Sequence, residues 1–229
     1  MSKIFVSVLM VVFLFSCDKD DDNIVTPESS SPTVKLNATY DVNITEDIIY
    51  AEGLSHDDWN SSNTTALPLY MDSYVPENNS QNRPLLMLIH GGAFVGGSKQ
   101  QDAIVDMANY YASRGFVVFS IDYRLRDHMG TIPQAWIDAT SVGTPSNLDQ
   151  TFAMYPAHRD AKAALRWIMA NAQNYHINKD YITVGGGSAG AITSIGIGVS
   201  ELGDYKDEIS SSEDNTLSTT NLSQTYEVQ

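Results

Sequence analysis

The run ITVGGGSAGAITSIGIG, Ile182 to Gly198, changes character in its middle. A short apolar stretch breaks into three glycines and a serine, and a helix-like tail of small and apolar residues follows. That order reads as a strand, a sharp turn and a helix, and Gly186-Gly187-Ser188-Ala189-Gly190 satisfies G-x-S-x-G in the context the pattern requires. Such a turn lifts the serine Oγ above the end of a sheet, and small residues flank it because the backbone closes too tightly for side chains. The following helix offers N–H groups and a positive dipole end to developing negative charge. Ser188 is therefore a candidate nucleophile; the alternative is a glycine-rich turn that packs helix on strand, with Ser188 an ordinary cap.

Working outward, PLLMLIH (from Pro84) and FVVFSIDY (from Phe116) are near-continuous apolar runs, as expected of parallel strands buried on both faces. Between them the spacing predicts a helix over Gln101 to Arg114, with Ile104, Val105, Ala108, Tyr111 and Ala112 on one face and Gly115 to end it. A second helix is predicted after Pro156, carrying Ala161, Ala164, Leu165, Ile168, Met169 and Ala172 at helical spacing and leading into YITVG. Strands alternating with helices imply an α/β fold with a mostly parallel sheet. Upstream, YDVNIT, DIIYAEG and Ala66 to Pro76 read as antiparallel edge strands. The stretch from Arg124 to Asp149 lacks periodicity and is expected to be a lid or pocket-lining excursion.

A second motif stands upstream of the serine: His90-Gly91-Gly92-Ala93, directly after a buried strand, where unpaired backbone N–H groups can point at a carbonyl. Together the two motifs resemble esterases of the α/β-hydrolase superfamily, the carboxylesterase and hormone-sensitive-lipase-like groups. The resemblance runs from about Leu67 to Val199 and includes SIDYRL (Ser120 to Leu125) and RDAKAALRWI (Arg159 to Ile168). It implies an α/β-hydrolase fold, Ser188 as nucleophile, and the N–H groups of Gly92, Ala93 and Ala189 as an oxyanion hole. His90 and Gly91 then shape the upstream loop, and Gly186 and Gly190 the nucleophile turn. Ala93 stands where the commoner form has a third glycine, a change compatible with a backbone donor. The upstream loop favours esters, with a serine peptidase the alternative within the fold, and no metal or organic cofactor is implied.

In this superfamily the triad acid and histidine follow the serine. After Ser188 the sequence has Glu201, Asp204, Asp207, Glu208, Glu213, Asp214 and Glu227 but no histidine; His56, His90, His128, His158 and His176 all precede it. His158 and His176 read as helix-end or surface residues, while His128 stays open as a substitute base. The simpler expectation is a chain that stops early, with YEVQ the start of a further strand. Its catalytic domain, 36–229, is then the N-terminal part of a longer one, poorly stable, with Ile192, Ile195 and Val199 left without neighbours.

A formal charge of -15, with 13 Lys and Arg against 28 Asp and Glu, argues against a nucleic-acid partner. Lys3, the apolar run Ile4 to Phe15 and the LFSC sequence have the order of an export signal, residues 1–16, too short to be retained as a spanning helix. Leu14-Phe15-Ser16-Cys17 resembles a bacterial lipobox, which implies lipidation of Cys17, the chain's only cysteine, and a membrane anchor followed by an acidic stalk over 17–35. These features predict an exported lipoprotein of the outer membrane or cell surface. Acetyl or feruloyl esters on plant polysaccharide suit that location, and a non-catalytic surface pseudoenzyme is the alternative from another class.

Overall fold

The computed structural model describes residues 31–142 and 147–200. The signal, the lipidation site at Cys17, the carboxylates after Ser188 and the YEVQ strand lie outside the described residues.

Among the described residues five strands form one sheet in the order β1-β2-β4-β3-β5, from β1 (Val42–His56), β2 (Thr64–Pro76), β3 (Arg83–Ile89), β4 (Val117–Ile121) and β5 (Ile177–Gly186). β3 pairs in parallel with both β4 and β5, whereas β2 runs antiparallel to β1 and β4. The two early strand readings merge into β1, which keeps pairing with β2 through register irregularities at Thr45/Ile48 and Ile49/Ala51. β2 is not an edge strand, because β4 takes its other side.

Every side chain of β3 and β4 is buried, and alternation divides them between two faces. Leu86, Leu88 and Val118 meet Ile104, Ala108 and Ala112 of α1 (Asp102–Ala112). Leu85, Met87, Ile89 and Phe119 face the other way, into the core with Ala161, Ala164, Leu165 and Ile168 of α3 (Leu148–Ala170). A short helix α4 (Ala172–Tyr175) leads into β5, and α5 (Ala189–Val199) packs on the α3 side through Ala189 and Ile197.

The helix expected after Pro156 begins eight residues earlier, at Leu148, with the proline inside it. A proline there removes the N–H that would bond the carbonyl of Phe152. Burial outweighs that loss. Phe152 and Tyr155 pack with Ile132 in a separate apolar cluster joined by Trp59, Trp136, Ile137 and Leu148. The described residues of the excursion form a 3-10 turn at Arg126–His128 and α2 (Gln134–Thr140). Its root is a buried ion pair: the Arg124 guanidinium meets Asp160 of α3 at 2.6 Å, and the Arg124 N–H donates to the same carboxylate at 2.8 Å.

The described chain enters where the parallel strands begin: the N–H of Lys35 donates to the Arg114 carbonyl at 2.9 Å and that of Thr39 to Ser113 at 2.8 Å. At the other side of the sheet, Ile192, Ile195 and Val199 of α5 are 47%, 66% and 75% exposed. Among the described residues no helix is long and apolar enough to cross a membrane.

Candidate functional site

β3 and β5 run in parallel and in register up to Ile89 and Gly186, so the two motifs leave adjacent strand ends side by side. Gly91 lies directly against the serine turn: a Cβ built on it would stand 2.9 Å from the Gly187 carbonyl oxygen and 3.4 Å from Ser188 Cβ. On the other side of that turn, a Cβ at Gly186 or Gly190 would fall onto the carbonyl oxygen of Ile89. Both glycines are therefore set by close backbone approach, and a larger residue at either would push β5 and α5 off β3.

Ser188 has φ 53 and ψ -116, a left-handed conformation that a non-glycine residue holds at a cost of about 1–3 kcal/mol. It is solvent-exposed, and among the described residues its Oγ has no hydrogen-bond partner. α5 starts at the next residue, Ala189, whose N–H belongs to the first turn, where intrahelical acceptors are missing.

The facing loop is built by three successive left-handed residues, Gly92 (φ 125), Ala93 (φ 53) and Phe94 (φ 61). The Gly92 carbonyl accepts from the N–H groups of Val95 at 2.9 Å and Gly96 at 3.1 Å, which curls the loop back on itself. Among the described residues the N–H groups of Gly92 and Ala93 donate to no other group, and both residues are exposed beside the serine turn. Phe94 is buried and anchors the loop, and its carbonyl accepts from Arg126 N–H at 2.7 Å.

His90 is 1% exposed, stacked on Tyr123 at 4.3 Å between ring centroids, and its Nδ1–H donates to the Gly91 carbonyl at 2.7 Å. Burial lowers its pKa and keeps the ring neutral. It sits as a wedge under the loop. His56 donates from Nδ1 to the Ser61 carbonyl and accepts at Nε2 from Thr131 Oγ1. The Nδ1 of His128 accepts from the Leu125 N–H at 2.9 Å, within the 3-10 turn. His158 is no helix-end residue: it lies within α3, with its imidazole at the position a Cβ on Gly196 of α5 would occupy. His176 closes α4 in a left-handed conformation, just before β5 starts.

The structure thus gathers Ser188, Ala189, Gly92 and Ala93 at one opening, with His90, Gly91, Gly186 and Gly190 as its frame. Sequence reasoning missed the supports of this opening: Tyr123, whose hydroxyl donates to the His90 carbonyl at 3.0 Å, and Lys99, Asp122 and Gln150. SIDYRL held the signal for two of these, since a polar pair at the end of a buried strand must find partners. Among the described residues no group of three or more His, Cys, Asp or Glu side chains is placed to hold a metal ion.

A family model described as BD-FAE matches residues 71–142 and 148–227. Carboxylesterase 1C of Rattus norvegicus is 29% identical over 208 residues, 86% of this chain and 34% of the relative. The para-nitrobenzyl esterase of Bacillus subtilis is 29% identical over 129 residues, 55% of this chain and 23% of the relative. Among solved structures, the esterase Est2 of Thermogutta terrifontis aligns with a TM-score of 0.44 at 21% identity, over 74% of this chain and 45% of Est2. The chain therefore spans about a third or less of the length of these curated relatives.

Proposed function

The chain belongs to the BD-FAE family of α/β-hydrolase esterases, and from that premise we propose that it is a serine hydrolase acting on carboxylic esters through an acyl-enzyme. The observation that supports the reading is the abutment of Gly91 on the turn that carries the strained, exposed Ser188, beside the loop of Gly92 and Ala93 and ahead of the helix that starts at Ala189. Ser188 Oγ attacks the ester carbonyl, and the carbonyl oxygen takes up negative charge facing the N–H groups of Gly92, Ala93 and Ala189. Collapse expels the alcohol, which leaves with the proton taken from the serine, and water then releases the acid and restores the hydroxyl. Donors fixed before the reaction stabilise this charge without reorganising, and losing one that can be mutated costs ~10²–10³ in turnover.

The proton needs a base, and no histidine follows Ser188 in these 229 residues. An oxyanion hole and binding without a working triad leave ~10³–10⁴ over the reaction in water. The test is covalent labelling by a fluorophosphonate, read by peptide mass spectrometry on the polypeptide as its own gene expresses it. Label on Ser188 that disappears in Ser188→Ala supports the nucleophile; an unlabelled Ser188 overturns it and favours a non-catalytic surface protein.

Acetyl or feruloyl esters on plant polysaccharide are the substrate class this reading favours, because the Lys3 to Cys17 sequence supports export and a lipid anchor at Cys17. Cys17→Ala is expected to move the protein from the membrane to the soluble fraction.

A further inference from the structure

The loop Gly91–Ser98 carries an unusual conformational load: three left-handed residues in succession, then Gly97 at φ 104, where an added Cβ would run into the Gly91 carbonyl and the His90 ring. Such a segment keeps its shape only where its surroundings over-determine it. The wedge of His90 secures its start. Its exit is secured by something the chemistry of Ser188 does not use, a buried lysine.

Lys99 is 4% exposed, although it follows a surface loop. Its Nζ lies 2.8 Å from Oδ1 of Asp72, which is completely buried in β2, and 2.9 Å from Oδ1 of Asp47 at the irregular part of β1. Its backbone N–H donates at 2.7 Å to Oδ1 of Asp122, just past β4. The Asp47 N–H also donates to Asp72 Oδ1 at 2.9 Å, and Gln100 Nε2 donates to Asp72 Oδ2 at 3.3 Å. One residue thus ties the loop's exit to three strands: its ammonium binds Asp47 of β1 and Asp72 of β2, and its backbone N–H binds Asp122 at the end of β4. Asp122 also reaches toward the loop's start, with Oδ1 4.0 Å from His90 Nε2. Burial alone would drive the lysine toward neutrality; the hydrogen bonds it donates to Asp72 and Asp47 outweigh it and raise the Lys99 pKa, so the charge stays in place.

We propose that Lys99 is the positioning residue of the oxyanion loop: its ammonium, clamped by Asp47 and Asp72, holds the loop exit so that the Gly92 and Ala93 N–H groups stay on Ser188. The proposal rests on the serine-hydrolase reading for its catalytic consequence, and its structural half stands apart from it. Lys99 touches no reacting atom. A shift of about 1 Å in groups that position a reaction can cost ~10²-fold in rate, so a slack exit is expected to be felt at the serine.

Lys99→Met alone would strand the Asp72 carboxylate, and a buried unpaired charge can unfold a domain. The informative variant is therefore Lys99→Met with Asp72→Asn, which removes both charges at nearly constant volume; Lys99→Arg is the conservative control. Two measurements on the full chain decide the matter: hydrogen exchange in peptides covering 90–98 against 117–121, and the rate of fluorophosphonate labelling of Ser188. In a double variant that still melts cooperatively, exchange over 90–98 is expected to rise with 117–121 unchanged, labelling is expected to slow about a hundredfold, and Lys99→Arg is expected to restore most of both. Unchanged exchange in the folded double variant overturns the proposal, and so does faster exchange with an unaltered labelling rate. If the unsubstituted protein is not labelled at all while the exchange arm responds as expected, the serine-hydrolase reading fails and Lys99 stands as the anchor of the loop.

Discussion

The opening at the ends of β3 and β5 and the excursion from Arg124 to Asp149 are built in opposite ways. The opening is made almost wholly of backbone: Gly186 and Gly190 lie against the Ile89 carbonyl, Gly91 against Gly187, and the candidate oxyanion donors are main-chain N–H groups. The excursion is held by side chains: Trp59 meets Phe152 edge-on at 5.4 Å, Trp136 tilts over Tyr155 at 5.6 Å, and Trp136 Nε1 donates to the Thr151 carbonyl at 3.1 Å. A backbone-built site has few permitted residues and little tolerance. A side-chain cluster has many solutions and can change composition while keeping its place.

The contrast can be broken first where the excursion is rooted. Arg124→Met leaves the Asp160 carboxylate buried with its main charged partner gone, and a loss of about 3–5 kcal/mol is expected in chemical denaturation. Arg124→Met with Asp160→Leu is expected to recover most of it, because the pair is then removed together. A smaller effect is expected at the opening. Gly190→Ala adds one methyl where the Ile89 carbonyl stands, costing about 1–3 kcal/mol by overpacking and slowing Ser188 labelling as the turn shifts. If that methyl is silent in both, the opening is less tightly built than its geometry says. Within the excursion, Trp136→Ala is expected to raise hydrogen exchange over 134–155 while leaving 85–89 protected, and Trp136→Phe to be tolerated. Uniform loss of protection across the sheet would show that the two regions are one cooperative body.

The smallest expected effect is shared by both regions. Burial lowers the pKa of His90 under the opening, of His128 in the excursion and of His158 between α3 and α5. Below their ordinary value of 6.5 the unfolded chain binds protons that the folded one refuses, so stability rises with pH through that window and falls as acid is added. Thermal melting followed from pH 7.5 to pH 5 is expected to shift steadily downward, and a flat profile over that range would contradict the buried, neutral placement of the rings.

The same contrast explains what the sequence discloses. Gly186-Gly187-Ser188-Ala189-Gly190 and His90-Gly91-Gly92-Ala93 are readable because backbone approach and left-handed φ values admit so few residues that the constraint is written in the chain itself. The β-α-β core is readable for a related reason, since Leu85 to Ile89 and Val117 to Ile121 must be apolar on both faces. The start of α3 is not readable, because Pro156 signals a helix start by local rules and only the packing of Phe152 and Tyr155 against residues far away in sequence moves that start to Leu148. Lys99 escaped notice likewise: a lone lysine after a glycine-rich loop says nothing of two aspartates contributed by β1 and β2.

The entry of the described chain has a practical meaning. Residues 33 to 40 are fastened at Ser113 to Gly115, where the parallel strands begin, and Ser188 sits where they end. The five residues of β4, about 16 Å of strand, lie between the two poles. A bead, a surface or a fused partner coupled ahead of Ser31 would therefore grip the domain by its base and leave the serine's approach open to a bulky or insoluble substrate. Coupling through the exposed face of α5, which starts at the residue after Ser188, would crowd that approach.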